Sequence, residues 1–443
     1  VPQFTWLTWA NAKAALAARL SVPLSTDATS QFWVDSELGL YLTEALRLWN
    51  ALTNQWNETF DIGNLLTPNQ VWQPLSGLTG YPRQRTVTDA DLYTVMAYHL
   101  LENTASFSGQ FTQADFTGAL QRRRDEILQA SAANLAEVIV AGSVGNSGGT
   151  FPDSTLSPLR GQYVPTNAAI SPAVLQREDA LAFEYFQDQT ATPQVPGSYS
   201  VVSEQPLDFD TDYPPLVAGN YRFIMSVAGP SFNPPATTLM SMPDDYTPFV
   251  KWGAIGDLLN GEPEATDMQR AEYCTNRFAD GLTLMRAMPW LLWASIDGTV
   301  VDTPGMVEMD QYAYGWDFSA YGTWPLGRQA LVVAGIDFVG TSPVFTAGGH
   351  SVEVNVVGNA PIPTQDSDFV QVSRDVFDLI LDYAQHISAF KQGGQEFQQT
   401  YPLLKNFAQA AMQTNKRLAA LGLFRDVLLT EGNRQDSALP RTQ

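Results

Sequence analysis

Residues 145–149, Gly-Asn-Ser-Gly-Gly, fit the G-x-S-x-G pattern of a serine nucleophile loop. Such an elbow needs a strand before it, a helix after it and a histidine to take the serine proton. The chain offers His99, His350 and His386. His99 and His386 lie in stretches of helical periodicity (AYHLLEN, AQHISAF), and His350 lies in a Gly-rich turn. Residues 145–149 follow a helical pattern and precede a Pro-rich one, so a flexible linker is expected there in place of a nucleophile. Asp208, Asp210 and Asp212 alternate as calcium-loop ligands do, but the glycine and the terminal acid of an EF-hand are missing. A solvated acidic loop is expected. No HExxH, paired cysteines or clustered histidines mark a zinc site, and no Walker loop or dinucleotide fingerprint is present. Neither a metal nor a cofactor is expected.

Two groups remain. The segment YAYGWDFSAYGTW, residues 312–324, resembles an aromatic platform for sugars, with Glu308, Asp310 and Asp317 nearby. A carboxylate pair about 5–9 Å apart would make a glycoside hydrolase. A virion-associated carbohydrate- or peptidoglycan-active hydrolase is thus the alternative reading of function. Aromatic residues interleaved with glycine more often pack in a β-layer or a subunit interface. The triplet Arg122, Arg123, Arg124 falls in a helix followed by Asp125 and Glu126, either a solvated face or a docking patch for an acidic neighbour. Arg434, Leu439 and Arg441 in the polar C-terminal tail complete the candidate docking residues.

The elements that must position these groups are constrained by composition. Apolar residues make up 44% of the 443, which is a folded protein with a sizeable core. No apolar run reaches the roughly 20 residues of a membrane span, and the opening VPQFTWLTWANAK lacks the basic-then-apolar pattern of a secretory leader. Cys274 is the single cysteine, so packing alone must hold the fold, in keeping with synthesis in a reducing cytosol. A net charge of −22 repels phosphate and argues against grip on nucleic acid.

Residues 32–56 carry the clearest periodicity. Leu38, Leu42, Ala45, Leu46, Trp49, Leu52 and Trp56 form one helical face, with Asp35 as the expected N-cap. Thr8 is expected to cap a shorter helix, Thr88 with Asp91 another, and Thr112 with Asp115 a long one running to about residue 141. Ser171 and Pro172 are expected to open a helix through PAVLQREDALAFEYFQ. From about 190 to 365, SYSVVS, NYRFIMSV, ALVVAGIDFV and SVEVNVV read as strands, interrupted by one helix with a Thr266/Gln269 capping box and a stop at Pro289. Helices return in SRDVFDLILDYAQHISAFK, which Gly393-Gly394 stops, and in PLLKNFAQAAMQTNKRLAALG. The expected class is α+β: a helical bundle body formed by the N- and C-terminal helices with a β-rich insertion domain. The expected boundaries are 1–189 and 366–430 for the body, 190–365 for the insertion and 431–443 for an extended docking tail.

The helices resemble those of the head-to-tail connector, or neck adaptor, proteins of tailed bacteriophages. FWVDSELGLYLTEALRLWNALTNQW, LQREDALAFEYFQ and the stretch YAQHISAFKQGGQEFQQTYPLLKNFAQAAMQTNKRLAALGL carry the resemblance. Trp33, Asp35, Glu37, Leu38, Leu42, Glu44, Ala45 and Leu46 match that family's W-x-D-x-E-L-x-x-x-L-N-E-A-L pattern. The likeness covers about half the chain, and the β-rich region has no counterpart in it. It implies a virion structural protein and no enzyme: a homo-oligomeric ring of twelve copies in the neck, between capsid and tail. Such a ring docks beneath the portal protein and other neck or tail proteins, with double-stranded DNA passing through without sequence-specific binding and no membrane. The 11 Trp, 16 Tyr and 23 Phe suit surfaces buried between subunits, and a −22 charge repeated around a ring suits a channel to which DNA does not adhere.

Overall fold

The computed structural model describes all residues except 1–3, 22–31, 62–71, 75–84, 103–109, 168, 181–191, 205, 262–266, 289–290, 297–298, 302–329, 333–337, 340–341, 344–351 and 429–443. Helix α1 (Trp9–Arg19) starts where Thr8 Oγ1 accepts the Asn11 amide, and α3 (Asp89–Leu100) and α4 (Gln113–Ser131) start at the capping boxes of Thr88/Asp91 and Thr112/Asp115. Helix α2 (Asp35–Thr53) is capped one residue earlier than expected, at Val34, whose amide is bonded by the Glu37 carboxylate. Two helices follow in the middle of the chain, α5 (Thr247–Gly261) and α6 (Met268–Arg286), and two near its end, α7 (Arg374–Ala389) and α8 (Tyr401–Thr414). Glu102 bonds the Gln110 and Phe111 amides and Tyr93 meets Thr117, so α3 and α4 form an antiparallel pair. Ser36 meets Tyr98, and Asn50 meets Asp245 just ahead of α5, so α3 and α5 both run against α2. One continuous apolar core runs from Trp9 through Tyr246–Met288 to Val427 and joins both ends of the chain. Among the described residues no helix is long and apolar enough to cross a membrane.

Among the described residues the strands are β1 (Asn57–Asp61), β2 (Trp72–Pro74), β3 (Leu135–Gly142), β4 (Gly148–Thr150), β5 (Thr155–Pro165), β6 (Ala173–Arg177), β7 (Ser198–Glu204), β8 (Leu207–Thr211), β9 (Gly219–Val227), β10 (Leu291–Ile296), β11 (Thr299–Val301), β12 (Ala330–Val332), β13 (Phe338–Val339), β14 (Ser342–Pro343) and β15 (Val352–Val357). Seven of them form one sheet in the order β3-β9-β5-β6-β7-β8-β4, antiparallel except for β6 beside β7. Its two outer strands come back against each other at Val140 and Gly149, giving a nearly closed barrel. Phe151, Tyr163, Tyr199, Phe209, Tyr221 and Phe223 fill the interior with edge-to-face and stacked rings. Gly161 is required there, since a Cβ would stand 2.6 Å from the Phe223 ring. A four-stranded sheet, β1-β15-β10-β11, and the pairs β2/β12 and β13/β14 complete the fold. The class is α+β, with N- and C-terminal helices packed together and a central β insertion.

Five expectations need correction. The long helix ends at Ser131, where Ala132 takes a left-handed turn (φ 48°), and residues 135–142 are strand because Val138, Ile139 and Val140 are β-branched. Strand structure therefore begins at Leu135, well before residue 190. The Ser171-Pro172 pair opens strand β6, in which Leu175 alone is buried, and not a helix. The described part of 190–365 contains α5 as well as α6; α5 escapes a periodicity reading because it is buried nearly all round and shows no polar face. The cap of α6 is Asp267, and Thr266 and Pro289 lie outside the described residues.

Candidate functional site: a buried ionic seam

Glu37, Tyr41 and Glu44 stand at i, i+4 and i+7 on α2, one stripe of a helix. That stripe faces inward: Glu37 is 1% exposed and Glu44 5%. Each acid meets a lysine from a distant part of the chain. Lys391, in the turn after α7, lies 2.8 Å from Glu37 and also donates to the Phe32 carbonyl. Lys251 of α5 pairs with Glu44 and lies 3.1 Å from His99 Nε2. Trp252 Nε1 (2.9 Å) and Tyr383 Oη (3.2 Å) complete the Glu44 carboxylate, and Tyr41 Oη donates to Glu37 (2.5 Å). The rings of Tyr41, Trp252 and Phe390 surround His99.

Burial dominates the acid–base properties. It raises the pKa of Glu37 against the pull of Lys391, and it lowers that of Lys391 against the pull of Glu37. Lys251 is likewise lowered by burial despite Glu44. His99 is held well below the usual histidine range by burial and then by the nearby Lys251 charge, so it is neutral and accepts from Lys251. His386 is buried between Tyr273 Oη (3.1 Å) and Thr400 Oγ1 (2.8 Å), and burial pushes it down to about 3. Cys274 is buried, and desolvation pushes its thiol well up, which keeps it an inert thiol. Glu37, Lys391, Glu44, Lys251 and His99 are at most 5% exposed and make their polar contacts within the fold. The seam can fix the register of α2 against α3, α5 and the Phe390–Gln392 turn.

The sequence candidates fall elsewhere. Ser147 sits in the turn between β3 and β4, with its carbonyl held by Thr211 (2.7 Å), while the described histidines His99 and His386 belong to the helical body. The residues 145–149 are therefore a strand connection and not a linker, since Gly148 and Gly149 pair with β8. Asp208 and Asp210 lie on β8, where Phe209 and Thr211 point inward, so this acidic stretch is strand and not loop. No group of acids, histidines or cysteine fit to hold a metal occurs among the described residues. His350, Glu308, Asp310, Asp317, Arg434, Leu439 and Arg441 lie outside the described residues.

The arginine triplet is largely committed internally. Arg122 remains exposed but lies 2.9 Å from Asp257, and Arg123 grips the same carboxylate (2.5 Å) and Glu126 (2.7 Å) over the Phe278 ring. Arg124 is fully buried and donates to the Pro230 (2.6 Å) and Gly229 (3.1 Å) carbonyls, with Phe232 beneath it. The triplet ties α4 to α5 and to the exit from β9. The i, i+7 spacing of Glu37 and Glu44 beside the apolar stripe of α2 is the sequence signal of their burial. No family model matches the chain, and no curated protein matches it either.

Proposed function

We propose that this chain is a structural protein of a phage neck, a ring-forming head-to-tail adaptor that docks beneath the portal, joins capsid to tail and forms part of the DNA channel. The observation that carries this reading is the use made of the adaptor-like stretch in α2. Asp35, Glu37 and Glu44 from that pattern bind Lys13, Lys391 and Lys251, so the resembling residues knit both chain ends and the middle into one body. The C-terminal stretch of the resemblance also folds as helices, α7 and α8, packed on α2. The middle stretch departs from it, because residues 173–177 are strand. Aromatic abundance no longer favours a ring interface: Trp9, Trp33, Trp49, Trp56 and Trp252 are core residues. The acidity does support it, since a net charge of −22 per copy repels DNA in a channel.

The neck reading makes no use of catalysis, and the buried acids serve the fold. Native mass measurement of the purified chain, alone and with the cognate portal, tests it. A ring near twelve copies, alone or on portal addition, is the expected result; a chain that stays monomeric with portal present rejects the reading.

A further inference from the structure

Lys416, Arg417 and Arg425 are exposed, and among the described residues no acid stands within ion-pair distance of any of them. One turn of helix, Leu418–Leu421, about 6 Å long, separates Arg417 from Gly422. The Arg425 guanidinium lies against that glycine, where a Cβ would meet Nε at 2.9 Å. The three cations therefore share one small surface. Asp426 beside them pairs inward with the buried Arg277 and does not neutralise them. In a chain of net charge −22 such an uncompensated basic surface is an exception.

The opposite sign gathers on the other flank of the helical body. Helix α1 meets α2 through Lys13–Asp35 and α7 through Arg19–Asp382, while α8 meets α2 through Phe407–Trp49 and α7 through Asn406–Asp382. Both reach the α2/α7 pair at the level of Asp382, so they take opposite flanks of it. Beside α1, Asp366 and Asp378 are 67% and 75% exposed, Asp375 is exposed, and Phe369 leaves 39% of its surface uncovered. Lys13 and Arg19 touch Asp366 and Asp378, but each also serves a better covered acid, Asp35 and Asp382. Arg374 is the exposed base there, over the Trp6 ring, and acids still outnumber bases on this flank.

We propose that these two flanks dock on each other between copies of this chain, with Lys416, Arg417 and Arg425 of one copy facing Asp366, Asp375, Asp378 and Phe369 of the next. Unlike patches on opposite flanks make a head-to-tail contact, which passes from copy to copy and closes into a ring where the rotation allows. Exposed charge pairs contribute little singly, but several together steer the encounter and fix its register around an apolar contact. Closure into a virion ring rests on the neck reading; the pairing of the two flanks does not. Sedimentation of the full chain tests it, at low salt and at about 1 M salt, where charges are screened within about 3 Å. Self-association that rises with concentration at low salt and weakens at high salt is expected. Lys416→Glu with Arg417→Glu in one variant, and Asp375→Lys with Asp378→Lys in another, should each weaken it about tenfold or more. Mixing the two variants should restore it, because every contact in an alternating array then joins opposite charges, and that recovery also shows both variants to be folded. A wild type that stays monomeric at low salt, reversals without effect, or a mixture that does not recover overturns the contact. Duplex DNA held by Lys416 and Arg417 in place of a second copy overturns it too. A ring on portal that forms equally well with the reversed charges overturns the contact and leaves the neck reading standing. Association that follows the charge swaps, with no ring on portal, keeps the contact and overturns the neck reading.

Discussion

Replacing Lys251 with Met keeps most of the side-chain volume and removes the charge that balances Glu44. Glu44 is 5% exposed, and its remaining partners are the Trp252 and Tyr383 donors. Stranding one member of a buried ion pair costs about 3–5 kcal/mol, because the remaining charge loses its partner and has no water to replace it. Glu44→Gln alone leaves Lys251 buried against His99 and Trp252, and carries a cost of the same order. The double variant removes both charges together. It is expected to recover most of the loss, and in other proteins a matched apolar replacement has even been stabilising. The assay is urea unfolding of the wild type, the two single variants and the double variant, read as a double-mutant cycle. A coupling of about 2 kcal/mol or more between the two sites is expected. A Lys251→Met cost below about 1 kcal/mol, or a double variant as unstable as the sum of the singles, refutes the buried pair as a determinant of the fold.

Two further outcomes follow from the same physics. Burial raises Asp280 to about 6, above the usual carboxylate value near 4, so the folded state binds its proton more tightly than the unfolded one. Its stabilising contribution is therefore complete below about pH 4 and is lost as pH rises through 6, by about 2–3 kcal/mol; Asp280→Asn should flatten that part of the wild-type stability profile, and an unchanged profile refutes it. Arg124→Ala should cost about 2–4 kcal/mol by emptying a fully buried side-chain site over Phe232 and removing the donor that Gly229 and Pro230 share, whereas Arg122→Ala, at an exposed pair, should cost under about 1 kcal/mol. Thermal or urea unfolding of the two variants side by side checks the contrast.

Helix starts were legible in the sequence because short polar side chains announce them. Thr8, Thr88 and Thr112 all cap where their spacing says they should. Helix ends were less so. Asn54, Leu101 and Ala132 take left-handed turns without the glycine that usually marks one, and after Ala132 the apolar run continues into β3 without a break. The barrel was half-read for a related reason. Strands β7 and β9 alternate visibly, but Pro172 and Gly148-Gly149 carry signals that serve helix starts and linkers equally well. The ionic seam was the least legible part. A carboxylate at a helix start reads as a dipole partner, and only the lysines 207 and 354 residues away along the chain, brought in by the tertiary fold, show that it is internal.

The chain enters and leaves the barrel at a single doorstep. Asn134 and Val227 exchange backbone and side-chain hydrogen bonds, each 3.0 Å, across the first rung of β3 and β9. A module whose two ends touch imposes no distance on its host. Ancestors of this chain could therefore gain, lose or exchange the whole barrel as a cassette, and the helices beneath would keep their spacing.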